Sequence, residues 1–158
     1  MSFSIELAAL FRRDLTRLMQ EVEAFPDDAT LWRTLPGTAN SAGNLTLHLE
    51  GNLREFIGRQ LGLVAYTRAR PAEFATRDVP KTELLERIAA VRELVPEVVA
   101  GLTEAQFDAE FPEQVFGAPI ATRQLVLSLY GHLSYHLGQI DYLRRILTGH
   151  GAVPFAGL

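Results

Sequence analysis

The sequence predicts an all-α protein, a four-helix bundle, and three observations lead there. Four segments of about twenty residues each carry apolar residues at steps of three and four, the period of an amphipathic helix. Pro, Gly and capping residues punctuate those segments. No internal repeat, low-complexity tract or linker divides residues 1–158, so a single domain is expected, with a loosely attached tail from about residue 150.

The first helix is predicted from Ser4 to Glu23, with Leu7, Phe11, Leu15, Leu18 and Val22 as its buried stripe. Arg12, Arg13 and Asp14 fall largely off that stripe and are expected in water. Pro26 and the Asp27-Asp28 pair end the segment. Residues 31–42, with Trp32, Pro36 and Gly37, read as a loop, and Asn40 or Ser41 is placed to cap the next helix.

The second helix is predicted over Ala42–Leu61, with Leu45, Leu49, Leu53, Phe56 and Ile57 inward and Gly62 as its stop. Beside that stripe runs a polar row, Asn44, His48, Asn52 and Glu55, at steps of four, four and three. Residues 63–80 read as a long loop carrying Arg68, Arg70 and Arg77. These three are expected to be solvated, the alternative being that they gather an anionic substrate at the bundle mouth.

The third helix is predicted from Thr82, as cap, to Leu102, with a broad face of Leu84, Leu85, Ile88, Val91, Leu94, Val95, Val98 and Val99. Between residues 103 and 121 a short hairpin over Gln114–Ile120 is expected. The last helix runs from Thr122 to Thr148 and stops at Gly149. The long second and third connections permit crossovers, so a simple alternating topology is not required.

The totals exclude several functions. A net charge of −4 supplies no basic face for nucleic acid and no pull towards an anionic membrane. No apolar stretch is long enough to span a bilayer. The absence of cysteine rules out disulfides, thiolate metal sites and a cysteine nucleophile, so any metal must sit on nitrogen and oxygen. Met1–Leu10 carries Glu6 and lacks the pattern of a signal peptide, so a cytoplasmic location is expected.

The chemistry lies in the histidines. His132 and His136 are four apart on one helix, hence on the same face and about 5–6 Å apart at Cβ. Both imidazoles can reach one ion at roughly 2.0–2.1 Å. Leu133 stands where a zincin protease needs its glutamate, which disfavours thermolysin-like proteolysis. His48, midway along the second helix, completes a three-imidazole set if the two helices pack side by side. Such a set leaves positions for water or substrate. The alternative is three core histidines satisfied by one another or by backbone groups, with no metal. His150, between two glycines, is expected to be exposed.

Asn52 and Gln139 are candidates to orient the histidines, and Glu55 is a weak candidate for a general base. Tyr135 and Tyr142 are expected to pack. Leu47, Val126, Tyr130 and Ile146 widen the apolar stripes beyond one face, through a thicker core or a dimer interface.

Two segments carry a resemblance. They are Asn-Leu-Thr-Leu-His48-Leu-Glu-Gly-Asn-Leu in the second helix and Tyr-Gly-His132-Leu-Ser-Tyr-His136-Leu-Gly-Gln-Ile in the last. With the Trp32–Pro36 loop and the Arg-rich loop around Ala72-Glu73-Phe74, they make the chain resemble the DinB-like (DinB/YfiT-like) superfamily of metal-dependent enzymes over nearly its whole length. The resemblance implies a bundle of up-down-down-up connectivity with long crossovers. It implies metal ligands at His48, His132 and His136, with no departure at any of them. It further implies zinc or nickel, with iron or manganese as other choices, and a homodimer formed through helix faces. Characterised members include thiol S-transferases and isomerases that use a low-molecular-weight thiol as cosubstrate.

Two functions remain open at this stage. One is a metal-dependent thiol S-transferase or hydrolase acting on a small molecule, where the ion lowers the pKa of a bound thiol or water. The other is a non-catalytic metal- or ligand-binding dimeric bundle.

Overall fold

The computed structural model describes residues 2–115 and 117–154. Its four long helices are α1 (Phe3–Glu23), α3 (Ala42–Leu53), α5 (Lys81–Gly101) and α7 (Thr122–Thr148). Three short helices join them: α2 (Asp28–Trp32), α4 (Arg70–Ala75) and α6 (Glu104–Asp108). The predicted stripes form the core: Leu7, Phe11, Leu15, Leu18 and Val22 meet Leu49, Leu53, Ile57, Ile88, Val95, Leu129 and Leu133. Leu47 and Val126 are buried as well, so part of the surplus apolar surface thickens the core.

Contacts between the helices fix their directions. Arg12 pairs with Glu93, and Lys81 donates to the carbonyls of Glu23 and Phe25, so α1 and α5 are antiparallel. Glu50 pairs with Arg87, and Leu94 lies beside Gly58, so α3 and α5 are parallel. Asp14 accepts from Tyr130, and Arg144 donates to Glu21, so α1 and α7 are parallel. Ser41 caps α3 by accepting from the Asn44 N–H at 3.1 Å.

Several expectations need correction. Helix α5 starts at Lys81 behind Pro80, so Thr82 lies inside it and is no cap. The second helix does not run regularly to Leu61: residues Arg54–Arg59 form a π-helical stretch. Beyond it the backbone turns at Leu63, whose φ of +55° makes it the left-handed residue in place of Gly62. The loop of residues 31–42 begins inside α2, which Asp27 caps by accepting from Thr30. No strand forms over Gln114–Ile120 among the described residues. Instead the ends of that loop are tied by a single bridge, Glu110 to Ala121, and Phe116 lies outside the described residues.

Asp14 is buried, not solvated. It lies on the seam with α7 and accepts from Arg13, Arg17, Tyr130 and Ser134. Tyr135 and Tyr142 are exposed, because they lie on the outward face of α7. The last helix stops as expected at Gly149, which takes a left-handed φ of +73°. Beyond it the Gly151 carbonyl accepts from the buried Arg144, and the end of the expected loose tail, residues 155–158, lies outside the described residues.

Candidate metal centre

The polar row of α3 faces inward, under α4. All twelve residues of α3 are buried, including Asn44, His48 and Asn52. Apolar residues on one side of α3 meet the core, and α4 covers the polar side. Asn44 secures that cover: its Nδ2 donates to the carbonyls of Glu73 and Thr76, each at 3.0 Å. The segment predicted as open loop is therefore the roof of the site.

His48 on α3 and the His132–His136 pair on α7 meet as their spacing predicts. The Nε2 atoms of His48 and His136 each lie 3.1 Å from the Nε2 of His132. One nitrogen from each ring falls within 4.8 Å of the others. The rings stand nearly perpendicular to one another, with centroids 4.5 to 5.3 Å apart.

The far side of each ring decides its tautomer. The Nδ1 of His48 lies 2.8 Å from a carboxylate oxygen of Glu73, which can only accept, so His48 carries its proton on Nδ1. The Nδ1 of His136 lies 2.7 Å from Oε1 of Gln139 and donates to it. Both Nε2 atoms are therefore bare lone pairs aimed at His132. The Nδ1 of His132 is buried without a partner. Lone pairs converging this closely repel unless something positive lies among them. Their spacing is comparable to that of two nitrogens bound to one ion at roughly 2.0–2.1 Å each. The donor set thus fits a divalent transition metal.

The site also favours the neutral imidazoles that a metal requires. Burial, with the neighbouring His136, His48 and Arg68, pulls His132 down to about 4. Burial also lowers His136, against the opposing bond to Gln139. Burial pushes the Glu73 carboxyl up, but the bonds from His48 and Arg68 outweigh it and hold Glu73 below the usual carboxylate range.

Of the remaining candidates, Gln139 touches a histidine and Glu55 does not. Glu55 lies at the start of the π-helical stretch and accepts from Arg59. Asn52 is buried, its Oδ1 has no partner, and no bond joins it to His48. Arg68, expected in water, is nearly buried and grips Glu73 through Nε at 2.6 Å and Nη2 at 2.9 Å. The sequence reading assigned no role to Glu73. The signal for it was an inward polar row that needed a polar partner. His150 is exposed, as expected.

Two cavities of about 430 Å³ border this region. One, largely apolar, is lined by Leu35, Leu45, Gln139, Tyr142, Leu143 and Ile146. The other is mixed in character and lined by Glu55, Phe56, Arg59, Tyr66, Arg68 and Arg70 among others.

A family model described as the DinB superfamily matches residues 10–140, which span all three histidines. The chain belongs to the DinB superfamily. Solved structures with the same fold include a conserved protein from Enterococcus faecalis, with a TM-score of 0.75 and 18% identity over 95% of this chain and 99% of that one. A DinB-like protein from Bacillus subtilis gives 0.68 and 20% over 95% and 96%. One from Bacillus cereus gives 0.65 and 14% over 92% and 91%. At these identities the likeness is one of fold. No curated protein matches the chain. No described helix of this DinB-superfamily chain is long and apolar enough to cross a membrane.

Proposed function

We propose that this chain is a single-domain, cytoplasmic, divalent-metal-dependent enzyme acting on a small molecule, either a thiol S-transferase or a hydrolase. The observation that carries the reading is the convergence of three Nε2 atoms, two of them on rings whose Nδ1 meets an oxygen acceptor. His48, His132 and His136 would hold the ion. Zinc or nickel suits three imidazoles, and iron or manganese is compatible with them. Bound there, the ion would act as a Lewis acid that lowers the pKa of a thiol or water. Three protein ligands in place of four leave room for that group.

The remaining parts belong to the protein. Gln139 holds His136 in the metal-binding tautomer. Phe74 packs against His48, with ring centroids 4.9 Å apart. The chain offers no cysteine, and Glu55 is committed to Arg59, so the reacting thiol or water is supplied from outside the chain. The cavity lined by Gln139 and apolar side chains suits a small molecule with an apolar body. In the same reading two copies pair through α7, where Leu127, Tyr135, Tyr142 and Ile146 are exposed; Tyr142 and Ile146 also line that cavity, so the second copy would lie against its mouth.

The test is a screen of metal-loaded protein in two arms, transfer of a small thiol to an electrophile and hydrolysis of activated esters and amides. His136→Ala serves as the control. Turnover by the parent and not by the variant is the expected result. Equal background rates from both, in both arms and with each of the four metals, would favour the non-catalytic metal- or ligand-binding bundle instead.

A further inference from the structure

We propose that Glu73 is the positioning residue of this centre. Clamped by Arg68 and seated against Gly51, it fixes His48 in the tautomer and orientation that send Nε2 to the point of convergence. The proposal rests on the metal-site reading and deepens it.

Four observations converge on Glu73. Its carboxylate meets the Nδ1 of His48 at 2.8 Å. Each of its oxygens also accepts from Arg68, through Nε and Nη2, so the group cannot rotate away. A Cβ built on Gly51 would fall 2.1 Å from Oε1 of Glu73, so the carboxylate occupies the space that any side chain there would fill. The backbone carbonyl of Glu73 is anchored by Asn44, one turn before His48 on the same helix. Thus α3 presents His48 and the anchor of its orienting group from one face.

The physical need is plain. A neutral imidazole can carry its proton on either nitrogen, and only the Nδ1–H form offers Nε2 to a metal. A fixed, ionised acceptor at Nδ1 selects that form and raises the basicity of Nε2. Burying a carboxylate and a guanidinium together rarely yields net stability over apolar packing. A charged pair at this position is therefore better explained by what it does to His48. Glu73 touches no reacting atom and acts through the histidine.

The experiment compares the parent with Glu73→Gln and Gly51→Ala. In Glu73→Gln, Arg68 and His48 compete for one remaining acceptor. In Gly51→Ala, the carboxylate is intact but displaced. The first readout is the ¹⁵N imidazole spectrum of metal-free protein. The parent should show His48 protonated at Nδ1 alone, and both variants should show the Nε2–H form as well. The second is the affinity for Co(II), by competition with a chelator, with the absorption spectrum of the bound ion. Both variants should bind about 10–100-fold more weakly and with an altered spectrum. A single Nδ1–H tautomer and an affinity within twofold of the parent, in whichever variant folds, would overturn the proposal. A parent that takes up no cobalt overturns the metal reading, while the tautomer measurement still decides whether Glu73 fixes His48.

Discussion

His136 donates from Nδ1 to Oε1 of Gln139 at 2.7 Å, one turn further along α7. A histidine and its orienting amide thus lie on one rigid helix, three residues apart. Replacing Gln139 with Leu removes the acceptor and frees the ring to flip or change tautomer. Zinc affinity, measured against a chromogenic chelator, should fall by about 10-fold or more. The thermal midpoint should move little, because Gln139 is only half-buried. Unchanged affinity in Gln139→Leu would leave His136 oriented by packing alone.

The second prediction concerns the seam between α1 and α7. Arg144 and Glu21 form an ion pair with side chains 2% and 0% exposed, and Arg144 also holds Asp141 and the Gly151 carbonyl. Arg144→Met leaves a buried carboxylate unpaired and should cost about 3–5 kcal/mol in urea unfolding. The double variant Glu21→Leu with Arg144→Met should recover much of that loss, since neither charge then remains. A single-variant cost below about 1 kcal/mol would show that water reaches Glu21.

Acidification gives a third. In the metal-free fold His132 is held down to about 4, below its unfolded value of about 6.5. Between those values the unfolded chain binds a proton that the folded chain refuses. Stability is therefore fully present above pH about 6.5 and falls as the pH drops towards about 4, by less than the roughly 3 kcal/mol that full shielding would give, because the ring is only half-buried. Urea midpoints across that window should slope downwards with acid, and His132→Gln should flatten the slope. A midpoint independent of pH over this range would mean that His132 is not shielded as the fold implies.

The outward face of α7 supplies a fourth. Leu127, Tyr135, Tyr142 and Ile146 form an exposed row, interleaved with Gly131 and Gly138, beside which a Cβ would meet nothing. Such a surface suits close approach of a second copy by two-fold packing. Light scattering should give twice the chain mass for the parent and the single mass for Tyr142→Glu. A monomeric parent at tens of micromolar would reject pairing through this face.

How much of this was legible in the sequence can be argued residue by residue. The helices were readable because the steps between Leu7, Phe11 and Leu15, and between Leu125, Leu129 and Leu133, report which face is dry. The three histidines were readable because helical spacing converts directly into a shared face. Glu73 was not, because its role depends on a short helix folding back over α3, which no local period encodes. The burial of Asp14 was hidden for a related reason. An off-stripe position is solvated only if no second helix packs there, and α7 does. Tyr135 and Tyr142 erred the other way, since aromatic character alone does not assign a face. Glu55, at the end of the row, is bonded to Arg59 on the next turn, a pairing that the spacing of the polar row does not announce.

The central claim is that three imidazoles hold one metal ion. Elemental analysis of untagged protein, beside His132→Ala prepared identically, tests it most directly. About one transition-metal ion per chain in the parent and far less in the variant is the predicted result. A parent that is metal-free as purified, and that takes up no zinc, nickel, iron or manganese on titration, would contradict it and leave the histidines as a buried hydrogen-bonded cluster.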